Sequence, residues 1–253
     1  AKEAHHAIVV PIVLDHAISV NTYTTLALAA GLLAHSVVAG STATPGGAPA
    51  DCASQTEQAR VPALPNLAGL AEVLSRAFAE VARAIPRWQE QIAEADWLAP
   101  HKTTYFLARG SSLGSAYESR LMWEEGVKTP ATALGMGGFR HGPQEVIAKD
   151  MRFCIWIEGA QMREQDLAVA RDLRKLGTRV MLIGQKLPDD AGDLVFQLPA
   201  IPSEWQFLID IIPAQLVAER LAHLSRVDCD SFLLCSFVVE DEGGLLPKEA
   251  KKN

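Results

Sequence analysis

Thr104-Tyr105-Phe106-Leu107-Ala108-Arg109-Gly110-Ser111-Ser112-Leu113-Gly114 joins an apolar, β-prone run to a glycine-bearing turn and then to the helical composition of Leu113–Glu125. The same alternation continues downstream. Phe153–Ile157 reads as a buried strand, Gln165–Leu176 as a helix ended by Gly177, Arg179–Ile183 and Leu194–Leu198 as strands, and Glu204–Ser225 as a helix containing Pro213. Strands that alternate with helices predict an α/β domain with a doubly wound parallel sheet flanked by helices, since each parallel crossover needs a long return that a helix supplies. Ligands of such sheets sit beyond the carboxyl ends of the strands near a switch point, so the turns after Ala108 and Ile157 are where binding residues are expected.

Upstream of this domain, Leu70, Val73, Leu74, Ala77, Phe78, Val81 and Ile85 recur at spacings of three and four, which predicts an amphipathic helical connector over residues 67–100 with a break or kink at Pro86. Gly40–Asn66 is rich in Gly, Ala, Pro, Ser and Thr, a linker composition placed at 41–66. Ile8–Leu14 reads as one strand and Thr22–Val38 as one helix. A single strand and helix cannot bury both faces of a sheet, so residues 1–40 are expected to belong to a domain whose other strands lie outside this chain. The main domain is assigned to 101–240 and a tail to 241–253.

The 253 residues are 49% hydrophobic, enough for a substantial core. A formal charge of −7 with 23 scattered Lys and Arg argues against nucleic acid as a partner, because counterion release needs a clustered basic face. The alanine-rich Tyr23–Val38 is interrupted by polar residues and is short for a bilayer, so no membrane association is expected. Cys52, Cys154, Cys229 and Cys235 show no regular pairing pattern and the N-terminus has no leader-like run, which favours reduced thiols and the cytoplasm. Cys229, Asp230 and Cys235 lack metal-ligand spacing, and Gly135-Met136-Gly137-Gly138 lacks the third glycine of a dinucleotide fingerprint. Neither a metal nor a cofactor is expected.

Two constellations could carry chemistry. Gly110–Gly114 fits G-x-S-x-G between a strand and a helix, which reads either as a nucleophile elbow using Ser112 with Asp193 or Asp210 and His223, or as a tight turn whose serines cap the helix. Glu124 and Glu125 end the helix before Gly126, and sixteen residues later His141 sits in Arg140-His141-Gly142-Pro143. A carboxylate and an imidazole are the minimum for moving protons on a sugar: one abstracts from carbon and the other serves the ring or carbonyl oxygen. The bland reading is a solvated helix end and a structural turn. Helical periodicity does not settle which glutamate points inward. Leu113, Ala116, Tyr117 and Leu121 define an inward face nearer to Glu124.

These residues resemble the sugar isomerase (SIS) family, specifically its second repeat in amino-sugar synthases. The resemblance rests on Leu107-Ala108-Arg109-Gly110, Glu118, Leu121, Glu125, Arg140-His141-Gly142-Pro143, Pro213-Ala214-Gln215-Leu216 and Val227-Asp228-Cys229-Asp230, and it covers about Lys102–Glu240. It implies a flavodoxin-like fold preceded by a fragment of a first SIS repeat, which Tyr23-Thr24-Thr25 and the following helix resemble. It assigns the catalytic roles to Glu125 and to His141, the latter offered across a homodimer interface. Arg109, Ser111 and Cys235 become substrate-binding positions for a sugar phosphate.

Departures from the family narrow that expectation. The turn matching the Ser-rich phosphate loop is Glu158-Gly159-Ala160-Gln161, without a hydroxyl, and the family's two active-site lysines fall on Cys235 and Met122. An imine cannot form on a cysteine, so the resemblance implies isomerase, deaminase or deglycase chemistry, or a non-catalytic module that binds a carbohydrate derivative.

Overall fold

A computed structural model of the protein describes residues 26–34, 67–99, 103–159 and 162–234. The strand expected at Ile8–Leu14, the linker at 41–66, Tyr23-Thr24-Thr25, Cys235 and the tail at 241–253 lie outside the described residues. Of the first expected helix, residues 26–34 are described and are helical (α1).

Five strands build an all-parallel sheet: β1 (Thr104–Ala108), β2 (Ala131–Gly135), β3 (Arg152–Ile157), β4 (Arg179–Gly184) and β5 (Leu194–Gln197), in the order β2-β1-β3-β4-β5. Register runs Phe106↔Ala133, Phe106↔Cys154, Cys154↔Met181 and Ile183↔Phe196. Period-two side-chain alternation sorts the strands onto two cores. Phe106, Ala108, Cys154, Trp156, Met181, Ile183, Leu194 and Phe196 face one side. Leu107, Phe153, Ile155, Ile157, Val180 and Leu182 face the other.

The first face is covered by α2 (Leu67–Glu94), α3 (Ser112–Glu125), a short α6 (Phe207–Asp210) and α7 (Ile212–Leu224). The second is covered by α4 (Met136–Arg140) and α5 (Arg163–Lys175). The doubly wound α/β architecture expected from the sequence is therefore the observed one. Leu70, Leu74, Ala77, Val81, Trp88 and Ile92 of α2 join the main core.

Two local expectations are corrected and one strand is added. Pro86 neither breaks nor ends α2, which runs unbroken from Leu67 to Glu94. Pro86 and Ala82, whose carbonyl loses its intrahelical partner, are both exposed, so water can satisfy the freed group. Glu204–Ser225 is not one helix: a 3-10 turn at Ser203–Trp205 and the single turn of α6 precede α7, where Pro213 occupies the first turn that tolerates it. Ala131–Gly135, not assigned to a strand from the sequence, pairs with β1 at the edge of the sheet.

Gly177, at φ 82°, follows the end of α5 as expected for a left-handed helix terminus. Among the described residues no helix is long and apolar enough to cross a membrane.

Candidate functional site

The chain leaving β1 turns toward β2 while the chain leaving β3 turns toward β4, so the switch point falls between β1 and β3, as the sequence placed it. Arg109 stands there. Its Nε donates to both oxygens of Asp166 at 3.1 and 2.8 Å and its Nη2 to one of them at 3.0 Å, a fork reaching the first turn of α5. Glu158, after β3, lies over Gly110, whose φ of 52° and tight space against that carboxylate require glycine. Burial and the charge of Asp166 raise the Glu158 pKa, and Arg109 opposes them.

The hydroxyls of the turn are spent internally. Ser111 donates to the Ser203 carbonyl at 2.8 Å and is not a side-chain cap. Ser112 and Ser115 donate to opposite oxygens of Asp210 at 2.6 and 2.5 Å, and Trp156 Nε1 donates to the Asp210 carbonyl at 3.0 Å. Burial drives the Asp210 pKa up to about 7 against the pull of its hydrogen bonds from Ser112, Ser115 and Gln206. Ser112 is 2% exposed, His223 sits exposed in the last turn of α7, and Asp193 pairs with Arg174. The elbow's triad is therefore not assembled among the described residues.

This network overturns the expected inward face of α3. Ser112, Ser115, Ala116, Ser119, Met122 and Trp123 are buried, whereas Tyr117 is 49% and Leu121 37% exposed. A buried carboxylate makes Ser112 and Ser115 the residues that best fill that interface, because each supplies a hydrogen bond where Leu or Tyr would leave Asp210 unpaired.

The same rotation settles how the two glutamates lie. Glu124 is exposed and pairs with Arg120 at 3.5 Å, one turn back. Glu125 is half-buried and raises the pKa of Glu118, two turns earlier, in addition to the effect of burial. Both line a cavity of about 400 Å³ with Lys128, Thr129, Pro130, Phe232, Leu233 and Leu234. That volume is within the range of small-molecule sites, about 300–1,000 Å³.

This cavity is not at the switch point. Helix α3 begins at the carboxyl edge of β1 and returns antiparallel over about 20 Å, so Glu125 lies near the amino edge, beside the start of β2. Lys128, which no sequence pattern singled out, donates to the carbonyls of Glu125 and Ser231 and lies 5.8 Å from the Phe232 ring centre. Its only sequence signal is its place just after the helix-ending Gly126.

His141 follows α4, and its N–H donates to the Gly138 carbonyl at 3.2 Å. Gly142, at φ 138°, supplies the turn that Pro143 then opens into a 3-10 segment. Helix α3 packs on one face of the sheet through Ala116, Met122 and Trp123, and α4 on the other through Met136 and Phe139. Within one chain, then, the elements carrying Glu125 and His141 are separated by the sheet. Arg109 and Ser111 belong to a third place, the switch point, and Cys235 lies outside the described residues.

No protein-family model matches the chain. It is 25% identical over 160 residues to the glutamine–fructose-6-phosphate aminotransferase [isomerizing] of Thermus thermophilus, a match over 58% of this chain and 26% of that protein. The enzyme of the same name from Mycolicibacterium smegmatis is 23% identical over 157 residues, 59% of this chain and 25% of that protein. The chain thus spans about a quarter of the length of the curated relatives it matches.

Among solved structures, the C-terminal domain of glucosamine-fructose-6-phosphate aminotransferase from Francisella tularensis superposes with a TM-score of 0.58 at 23% identity, over 65% of this chain and 47% of that one. Tagatose-6-phosphate ketose/aldose isomerase from Escherichia coli gives 0.53 at 23% identity, over 64% and 45%. Sequence relatives and fold agree: the chain is similar to the glutamine–fructose-6-phosphate aminotransferases and has the fold of the sugar isomerase (SIS) proteins.

Proposed function

We propose that this chain binds a phosphorylated sugar or amino sugar in the cavity beside Glu125 and acts as an isomerase, deaminase or deglycase. In this reading Glu125 moves a proton between C1 and C2 of the open-chain sugar, taking it from C1 of the ketose and delivering it to C2 of the aldose, while His141 serves the ring oxygen during opening. The observation that carries it is the position of Glu125: half-buried, on the wall of a ligand-sized cavity, in a fold shared with enzymes named as sugar-phosphate isomerases.

Because the sheet separates the two residues within one chain, the imidazole is supplied by a second copy, and the working unit is a homodimer with two shared sites. The resemblance puts the family's imine-forming lysine on Cys235, which favours proton transfer without an imine, and its other active-site lysine on Met122, which is buried. The free thiols of Cys154 and Cys229 suit the cytoplasm, and no nucleic acid or membrane partner is invoked.

Mixing the inactive single variants Glu125→Gln and His141→Ala tests the shared site. Random pairing puts half of the dimers in mixed form, each with one intact site, so about a quarter of wild-type turnover of fructose 6-phosphate should return. A mixture as dead as its components would show that the two residues do not share a site across copies. Wild-type protein that binds the sugar phosphate in calorimetry without turning it over would instead be a carbohydrate-binding module.

A further inference from the structure

Lys128 joins the two walls of the Glu125 cavity. Its ammonium donates to the carbonyl of Glu125, the last residue of α3, and at 2.6 Å to that of Ser231, where the segment Phe232–Leu234 begins to form the opposite wall. Leu233 and Leu234 are 75% and 65% exposed, so this segment buries little apolar surface of its own. Its described polar tie to α3 is Lys128, supplemented by the ammonium over the Phe232 ring. The backbone of Lys128 sits at φ 58°, a conformation that a residue with a Cβ rarely adopts and that Gly takes without strain. A strained residue holding two walls of a cavity together is placed there by something other than local preference.

We propose that Lys128 is the positioning residue of this site: it clamps residues 231–234 against the end of α3 and so gives the cavity the wall that a bound sugar phosphate needs. This rests on the reading of the Glu125 cavity as the sugar-phosphate site. The clamp works because an ammonium has three donors and bonds two carbonyls from different segments at once.

The test uses the full chain carrying Lys128→Met, which keeps the length and loses the donors, and Lys128→Gly, which also relieves the backbone. Hydrogen exchange of the peptide covering residues 226–234 and calorimetric titration with fructose 6-phosphate are read on both. The expected result is tail exchange faster by at least about tenfold and affinity weaker by about tenfold in each variant, the loss due to hydrogen bonds to a charged group. Lys128→Gly should also keep the melting temperature of the domain, which separates loss of the clamp from loss of the fold. Unchanged tail exchange in Lys128→Met overturns the clamp, whatever the affinity does. A released tail with unchanged affinity overturns the positioning role. Wild-type protein that does not bind the sugar phosphate removes the site itself, an outcome read before either variant is made.

Discussion

Asp166 holds Arg109 through both arms of its guanidinium, with the shortest contact at 2.8 Å and the carboxylate side chain 1% exposed. The pair ties the end of β1 to the start of α5 across the switch point, so it fastens together the two directions in which the sheet is wound. Removing the cation leaves a buried, uncompensated carboxylate. Arg109→Met is therefore expected to cost about 3–5 kcal/mol in urea unfolding with an unchanged slope, and Arg109→Lys to recover only part of this because a point charge replaces a fork. A loss below about 1 kcal/mol would mean that solvent reaches the pair.

Asp210 makes stability depend on pH with a definite sign. Its pKa rises from 3.8 to about 7 on folding, so the folded state holds a proton that the unfolded state releases. The contribution is fully present below about pH 4 and is lost as pH rises through about 7. Asp210→Asn keeps the acceptor for one serine without the charge. Its unfolding free energy should fall less between pH 5 and pH 8 than that of the wild type, and equal slopes in the two proteins would place the titration elsewhere.

Two glycines make a matched pair. A Cβ on Gly184 would lie 2.7 Å from the Ile157 carbonyl oxygen, across the β3–β4 ladder, whereas one on Gly135 meets nothing within 4 Å. Gly184→Ala should destabilise by about 1–3 kcal/mol through forced separation of two central strands. Gly135→Ala should stay within about 0.5 kcal/mol of wild type, as surface changes do. Thermal denaturation of both variants checks the contrast.

Glu124 and Glu125 are adjacent in sequence and differ in environment. If Glu125 is the base, Glu125→Gln should show kcat lower by about 10²–10⁴ than Glu124→Gln, the usual worth of general acid–base catalysis. Breaking the exposed Arg120–Glu124 pair should cost no more than about 0.5 kcal/mol of stability. Equal kcat values in the two variants would sink the assignment.

The parallel α/β architecture was legible in the chain itself because its central strands are short, apolar and bounded by turn residues. Phe153–Ile157 is buried at every position, and a strand buried on both faces leaves that signature in composition alone. The Arg109–Gly110 turn and the Gly142–Pro143 turn were legible for a similar reason: both glycines adopt positive φ, a local requirement written into local sequence. What sequence could not decide was orientation. The inward face of α3 was misread because Ser112 and Ser115 are buried, and burying these serines makes sense only once Asp210 arrives from a segment about 95 residues away. That non-local carboxylate rotates the helix so that Glu125 is half-buried on the cavity wall while Glu124 stays exposed, paired with Arg120. Likewise, a spacing of sixteen residues left open whether Glu125 and His141 act together, and the family resemblance placed His141 across a dimer interface. The tertiary structure supplied the physical reason, by packing α3 on one face of the sheet and α4 on the other.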